Sequence, residues 1–215
     1  MIKKIKKFVW ELLRLVHLGG IVQLVLKSQL TENGWFKSYT TKKSINAQGD
    51  PIPWCTYSFI QFIEPRLKSN FQLFEYGCGN STLWYSKRVE SIIAVEHHQG
   101  WAETIAAIAP VNVQILFKEI ENGSYAASPV ATGKMFDIVI VDGQDRVNAL
   151  LNAEKVLSNN GIIILDNAER PEYIYGTDYL IQSGFKRLDF WGNAPIVAYN
   201  SLTSIFYRTS NCLEI

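Results

Sequence analysis

The stretch that most constrains this chain is Phe71-Gln-Leu-Phe-Glu-Tyr-Gly-Cys-Gly-Asn-Ser-Thr82. Phe71 to Phe74 is an apolar run, Glu75 adds an acid, and Gly77-Cys78-Gly79 breaks the pattern before a helix-forming segment, Ser81 to Arg88. That order predicts a strand, a tight turn and a helix start. Glycine admits backbone conformations closed to other residues and lets a ligand approach the main chain. The free N–H groups of a helix start face the same crevice, so such a turn serves as a ligand cradle in doubly wound α/β folds. The pattern is G-x-G-x-S, with Thr82 where a dinucleotide fingerprint has its third glycine. Alone, it also fits a bend that needs glycine for geometry only. A second apolar strand, Ser91 to Val95, ends in Glu96. An acid about 20 residues after the turn suits hydrogen bonds from ribose hydroxyls.

The run Glu75-Tyr-Gly-Cys-Gly-Asn-Ser-Thr, followed by Ala94-Val-Glu-His, resembles the class I S-adenosylmethionine-dependent methyltransferases over roughly Phe71 to Thr209. The resemblance implies a Rossmann-like α/β fold and S-adenosylmethionine as cofactor. It implies that Glu75 and the turn (Gly77, Cys78, Gly79, Ser81, Thr82) hold the methionine part, Glu96 the ribose, and His97 the adenine region. Cys78 also reads as a small side chain filling a tight turn, and His97 and His98 as caps of the next helix.

From Phe71 onward strands and helices alternate, which predicts a parallel sheet with helices on both faces. Strands are expected at Phe71–Tyr76, Ser91–Glu96, Val111–Phe117, Phe136–Val141, Ile162–Leu165, Phe185–Trp191 and Ser204–Arg208. Helices are expected at Ser81–Arg88, Gly100–Ile108, Arg146–Leu157 (closed by the turn Ser158-Asn-Asn-Gly161) and Pro171–Ser183. Lys118 to Lys134 reads as a polar loop. The last two strands have no helix between them, and this hairpin suits the one antiparallel edge strand that the resemblance implies. The expected architecture is a doubly wound, mostly parallel sheet over 71–215, with an N-terminal helical extension and connector over 1–70.

Within that extension, Met1 to Leu18 reads as an amphipathic helix, with Ile5, Phe8, Leu12 and Val16 at helical spacing and Lys3, Lys4, Lys7 and Arg14 mostly opposite. Two readings stand for 1–18: a basic helix lying on an anionic membrane, or a helix packed on its own domain or on a second subunit of a homo-oligomer. Glu11, Arg14 and His17 interrupt the apolar stretch and argue against a transmembrane span or a signal peptide. Thr31 to Pro53 reads as an irregular connector, and Tyr57 to Leu67 as a helix with Thr56 at its N-cap. Trp54 and Tyr57 suit either a substrate entrance or the core.

Composition excludes a few classes. With 47% hydrophobic and 19% charged residues the 215-residue chain folds as a globular protein. Its formal charge of +1 exerts no overall pull on nucleic acid, and no nucleic-acid partner is expected. Cys55, Cys78 and Cys212 form no C-x-x-C pair and suit a reducing, cytoplasmic setting, with peripheral membrane attachment if 1–18 serves as an anchor.

The chemistry is expected where strands end. Asp142 follows the fourth strand and Asp166-Asn167 the fifth. Val-Asp142-Gly and Leu-Asp166-Asn167 resemble the metal site of divalent-metal-dependent O-methyltransferases. The resemblance implies magnesium on Asp142, Asp166 and Asn167, presenting an acceptor hydroxyl, with Asp142 also at the cofactor. Three hard oxygen ligands suit such a cation. Asp145 stands where that family has a lysine base, and it reads equally as a base or as a helix N-cap. The expected activity is O-methylation of a small-molecule, lipid or glycan hydroxyl (EC 2.1.1 type). The alternatives are an NAD-type oxidoreductase and a non-catalytic, membrane-associated binding module on the same fold.

Overall fold

The computed structural model describes residues 2–215, and of Ile2 only the backbone. Met1, where the first helix was expected to begin, lies outside them, as does the side chain of Ile2. The sheet has seven strands: β1 (Gln72–Tyr76), β2 (Ser91–Glu96), β3 (Val113–Phe117), β4 (Phe136–Val141), β5 (Leu157–Asp166), β6 (Lys186–Gly192) and β7 (Ser201–Tyr207). Their order is β3-β2-β1-β4-β5-β7-β6. The first five run parallel, and β7 pairs antiparallel with both β5 and β6. The antiparallel strand is therefore one place in from the edge, with β6 outside it.

Alternation along the strands explains why both faces are covered. Leu73, Ile138, Ile140, Ile162 and Ile164 enter one core layer with Phe59 and Ile63 of α5 (Tyr57–Ile63) and Trp84 and Tyr85 of α6 (Asn80–Tyr85). Phe74, Val139, Val141, Ile163 and Leu165 enter the other, with Tyr125 of α8 (Ser124–Ala131), Leu150 of α9 (Arg146–Ala153) and Leu180 of α10 (Ile174–Gln182). A strand buried on both sides is apolar almost throughout, and β4 shows this from Ile138 to Val141, with partly buried Asp137 near its start. Helix α7 (Gln99–Ala106) joins β2 to β3.

Four expectations are corrected. The connector contains two helices, α3 (Gln29–Glu32) and α4 (Trp35–Thr41). Ser28 caps the first by accepting from the Thr31 N–H at 3.3 Å. Gly34, which reads as a loop breaker, starts the second at φ 83°, with the backbone of Asn46 and Ala47 against it. Second, the polar stretch after β3 holds α8, because fully buried Tyr125 with Ala126, Ser128 and Pro129 anchors it to the sheet despite the proline. Third, Ser158 to Gly161 is not a helix-closing turn but the start of β5, since Leu157 already pairs with Phe136. Fourth, Thr56 does hold the N-cap position of α5, but its hydroxyl makes no cap bond and donates to the Phe190 carbonyl at 3.0 Å.

The N-terminal segment forms two helices, α1 (Ile2–Leu15) and α2 (Gly19–Leu26), with His17 in the left-handed region at φ 58° between them. The Gly19-Gly20 pair opens the second helix instead of merely ending the first. Among the described residues no helix is long and apolar enough to cross a membrane.

Candidate active site

The chain leaves β1 outward to β3 and then crosses back to β4. Ligands in open α/β sheets bind at this reversal, beyond the carboxyl ends of the strands. The parallel registers set Tyr76 beside Val95 and Val141, and Val141 beside Leu165. The residues that follow on β1, β2, β4 and β5 therefore emerge on one edge. Gly77 turns away from β1 at φ 92°, and a Cβ there would come within 3.3 Å of Gly143, so the turns after β1 and β4 touch through their backbones.

A cavity of about 780 Å³ opens above these turns. Glu75, Gly77, Cys78, Gly79, Ser81, Glu96, His97, Asp142, Asp166 and Asn167 all lie in its wall. Thr82 lies beneath, fully buried. Gly79 is extended at φ 167°, so backbone strain does not require glycine there. A Cβ at Gly79 would meet only the Trp101 ring, at 3.8 Å. The second glycine thus keeps space open beside the cavity, which is what close approach of a ligand demands.

Two carboxylates shape the cofactor end. Glu75 is buried and accepts from the Ser81 and Thr82 hydroxyls, both at 2.5 Å, while Thr82 also accepts from the Gly79 N–H at 2.9 Å. The acid thereby ties the turn to its own strand. Burial pushes the Glu75 carboxyl up to about 8, with the two hydroxyls pulling the other way. Glu96 is held through Oε1, which accepts from the His97 and His98 N–H groups at 2.8 and 2.9 Å and lies 2.8 Å from His97 Nδ1. Its Oε2 has only the Cys78 thiol near it, at 3.9 Å, and remains available to a ligand hydroxyl. Burial first, then the nearby Glu96 and Glu75, pushes the Cys78 thiol well up, so it fills the turn as a neutral side chain. His98 caps α7, its Nδ1 accepting from the Trp101 N–H at 3.1 Å. Trp101 donates its indole N–H to the Cys78 carbonyl at 2.7 Å, fixing its ring at the cavity wall.

Across the switch point the decisive residue is Arg146, at the start of α9. Its guanidinium donates to the Gly143 carbonyl at 2.9 Å and to the Asp142 carbonyl and Oδ1, both at 3.1 Å. It also reaches the Asp166 carbonyl and, at 3.2 Å, Asn167 Oδ1. Asp166 turns its carboxylate to the Thr203 hydroxyl, 2.6 Å away on β7. Burial and the Asp142 charge push the Asp166 carboxyl up to about 8. Asp142 is pushed up by burial and pulled back by Arg146. Cys55 Sγ and one oxygen from each of Asp142 and Asp166 lie within 4.8 Å of one another, and burial pushes that thiol well up.

Much of this donor set is already engaged within the chain. A hard cation needs several free oxygens around one point. Here Asp142 and Asn167 are engaged by one guanidinium, and the third neighbour of the acids is a neutral thiol. Arg146 sets one positive charge of the chain itself beside these acids. Asp145 does not line the cavity: it holds the N-cap position of α9 in the left-handed region at φ 48°, and its side chain makes no cap bond but accepts from Asn148 Nδ2 at 2.8 Å.

The far wall comes from segments with no readable motif. Lys42, Lys43, Ser44 and Trp54 come from the connector, Arg170 from the loop after β5, and Ile196, Val197 and Tyr199 from the loop before β7. Both covering segments are fastened: Asn80 Nδ2 donates to the Ser44 carbonyl at 2.7 Å, and Trp35 Nε1 to the Val197 carbonyl at 2.7 Å. Tyr57 is buried in the core, not at the entrance. Arg146 had a signal: an acid and an arginine four apart across a helix start pair readily. Lys42, Lys43 and Arg170 had none.

No protein-family model matches the chain, and no curated protein does. Solved structures do. Precorrin 8w decarboxylase of Methanobacterium thermoautotrophicum has a TM-score of 0.56 at 18% identity, covering 78% of this chain and 97% of its own. Precorrin-6y C5,15-methyltransferase of Geobacter metallireducens gives 0.55 at 12% identity, over 70% and 87%. An rRNA methylase of Streptococcus thermophilus gives 0.51 at 12%, over 69% and 93%. At such identities the likeness is one of fold: the chain has the class I methyltransferase fold.

Proposed function

We propose that the protein is an S-adenosylmethionine-dependent methyltransferase that alkylates a hydroxyl oxygen of an anionic acceptor. The observation that carries this reading is the convergence of Glu75, Gly77, Gly79, Glu96 and Asp142 on one cavity at the switch point of the sheet. Two of the three fold neighbours have methyl transfer in their names, which agrees with it.

S-adenosylmethionine, when bound, supplies a sulfonium methyl group open to in-line attack. Oε2 of Glu96 is the natural acceptor for ribose hydroxyls, and the Gly77–Gly79 turn leaves room for the methionine part. Asp142 stands between that turn and the far wall, where it can take the proton from an attacking hydroxyl. Arg146 keeps its carboxylate oriented and Asp166 sits behind it as a positioning residue. No step needs a metal. Most of the acceleration is expected from holding acceptor oxygen and methyl carbon in line.

The anionic character of the acceptor follows from the far wall. Lys42, Lys43 and Arg170 are ion-paired with no carboxylate among the described residues. Three cations without a carboxylate partner, Lys42 resting over the Tyr39 ring at 4.0 Å, lie in one cavity wall with Trp54 and Tyr199 and suit a molecule with a carboxylate or phosphate and an apolar body.

Glu96→Ala is expected to weaken S-adenosylmethionine binding by about 1–3 kcal/mol, the loss of a charged hydrogen-bond acceptor. Calorimetric titration of both proteins measures it. Unchanged affinity in a folded variant contradicts the assignment of Glu96.

A further inference from the structure

The two N-terminal helices leave an apolar face uncovered. Ile5, Phe8, Leu12 and Leu15 of α1 lie at helical spacing, and Ile21 and Leu24 of α2 continue the exposed apolar surface. These six are 48–78% exposed, while the core residues of the sheet are near zero. Packing on the chain's own domain, one of the readings open in the sequence, does not occur. A soluble monomer rarely leaves contiguous apolar surface of this kind without a use.

Charge identifies the occupant. Residues 2–26 carry Lys3, Lys4, Lys6, Lys7 and Arg14 against Glu11 alone, while the whole chain is nearly neutral at +1. The cationic excess therefore sits where the apolar face is. Lys3, Lys7 and Arg14 fall on the side of α1 opposite the stripe. A second copy of the chain carries the same cationic excess in this segment and so offers it no complementary charge. An anionic bilayer attracts it, and long lysine stems let the ammonium groups reach headgroups while the apolar stripe enters the acyl boundary. Trp10 and Leu13 are half-buried on the other side of α1, so the stripe is the face left open. Neither helix is long and apolar enough to span a bilayer, so the geometry is that of a segment lying in the interface plane.

We infer that α1 and α2 form a reversible docking surface for membranes rich in anionic phospholipid. The surface is independent of the methyl-transfer reading and stands whether or not that reading does.

The test is sedimentation of the full chain with vesicles of phosphatidylcholine alone and of phosphatidylcholine with phosphatidylserine. Binding is expected to the mixed vesicles only, to fall with added salt, and to weaken about fivefold for each of Lys3→Ala and Lys7→Ala. Leu12→Glu is expected to abolish it while leaving the thermal unfolding transition in place. Size-exclusion chromatography across a concentration series supplies the second readout. No binding to either vesicle, or equal binding to both, overturns the inference. A dimer that Leu12→Glu dissociates, without vesicle binding, overturns it in favour of an interface between copies of the chain.

Discussion

Asp142→Asn is expected to lower the methyl-transfer rate about 10²- to 10⁴-fold, the usual contribution of a positioned general base. The substitution changes little else. The introduced amide keeps an oxygen for the Arg146 guanidinium, which now reaches Asp142 Oδ1 at 3.1 Å. The carboxyl itself is partly exposed to the cavity, with 22% of the side chain accessible. Volume and packing are therefore conserved and only the proton acceptor is lost. The assay is transfer of labelled methyl from S-adenosylmethionine to a panel of hydroxyl acceptors bearing carboxylate or phosphate. A lowered kcat with unchanged cofactor affinity supports the base. A weakened cofactor Kd with unchanged kcat makes Asp142 a cofactor contact instead. A chelator is expected to leave the wild-type rate intact, because Arg146 already neutralises the site.

Arg146→Met is expected to destabilise the fold by about 3–5 kcal/mol, the cost of breaking a buried pair and leaving its partner charged. The side chain is 9% accessible and its contacts span the ends of β4 and β5. Lysine should restore only part of the loss, since a single ammonium cannot reproduce the planar fork. The loss also depends on pH. Arg146 lowers the carboxyls of both Asp142 and Asp166, so its removal raises both further. A carboxyl whose folded value lies above its unfolded one costs stability progressively as pH rises from the unfolded value up to the folded one. Asp166 already stands near 8. Below that value both proteins hold the Asp166 proton, and the Asp166 part of the charge-dependent loss vanishes. Urea unfolding at pH 5 and pH 8.5 should therefore give the larger difference at the alkaline end. An equal loss at both assigns the effect to the backbone carbonyls alone.

How much of this was legible depends on where the information lay. β4 was readable to the residue, because Phe136 to Val141 is buried on both faces and flanked by polar turns. The glycine turn, Glu75 and Glu96 were readable because strand ends and glycine spacing leave a local signature. Helix α8 was not: Gly123 and Pro129 both signal a loop, and only the burial of Tyr125 overrides them. The metal trio illustrates a different limit. Asp142, Asp166 and Asn167 do meet, as their positions on adjacent strand ends require, and Arg146, four residues beyond Asp142, joins them, a partner the motif did not include. The far wall came from the connector and the loop before β7, which carry no periodicity. Apart from Trp54, read as an entrance or a core residue, the sequence contained those residues without any sign of where they go.

The most direct measurement is calorimetric titration of the full chain with S-adenosylmethionine and, separately, with NAD. The cavity geometry predicts saturable one-to-one binding of S-adenosylmethionine and none of NAD, since Thr82 replaces the glycine on which close packing at a dinucleotide turn depends. Binding of NAD with no response to S-adenosylmethionine contradicts the account.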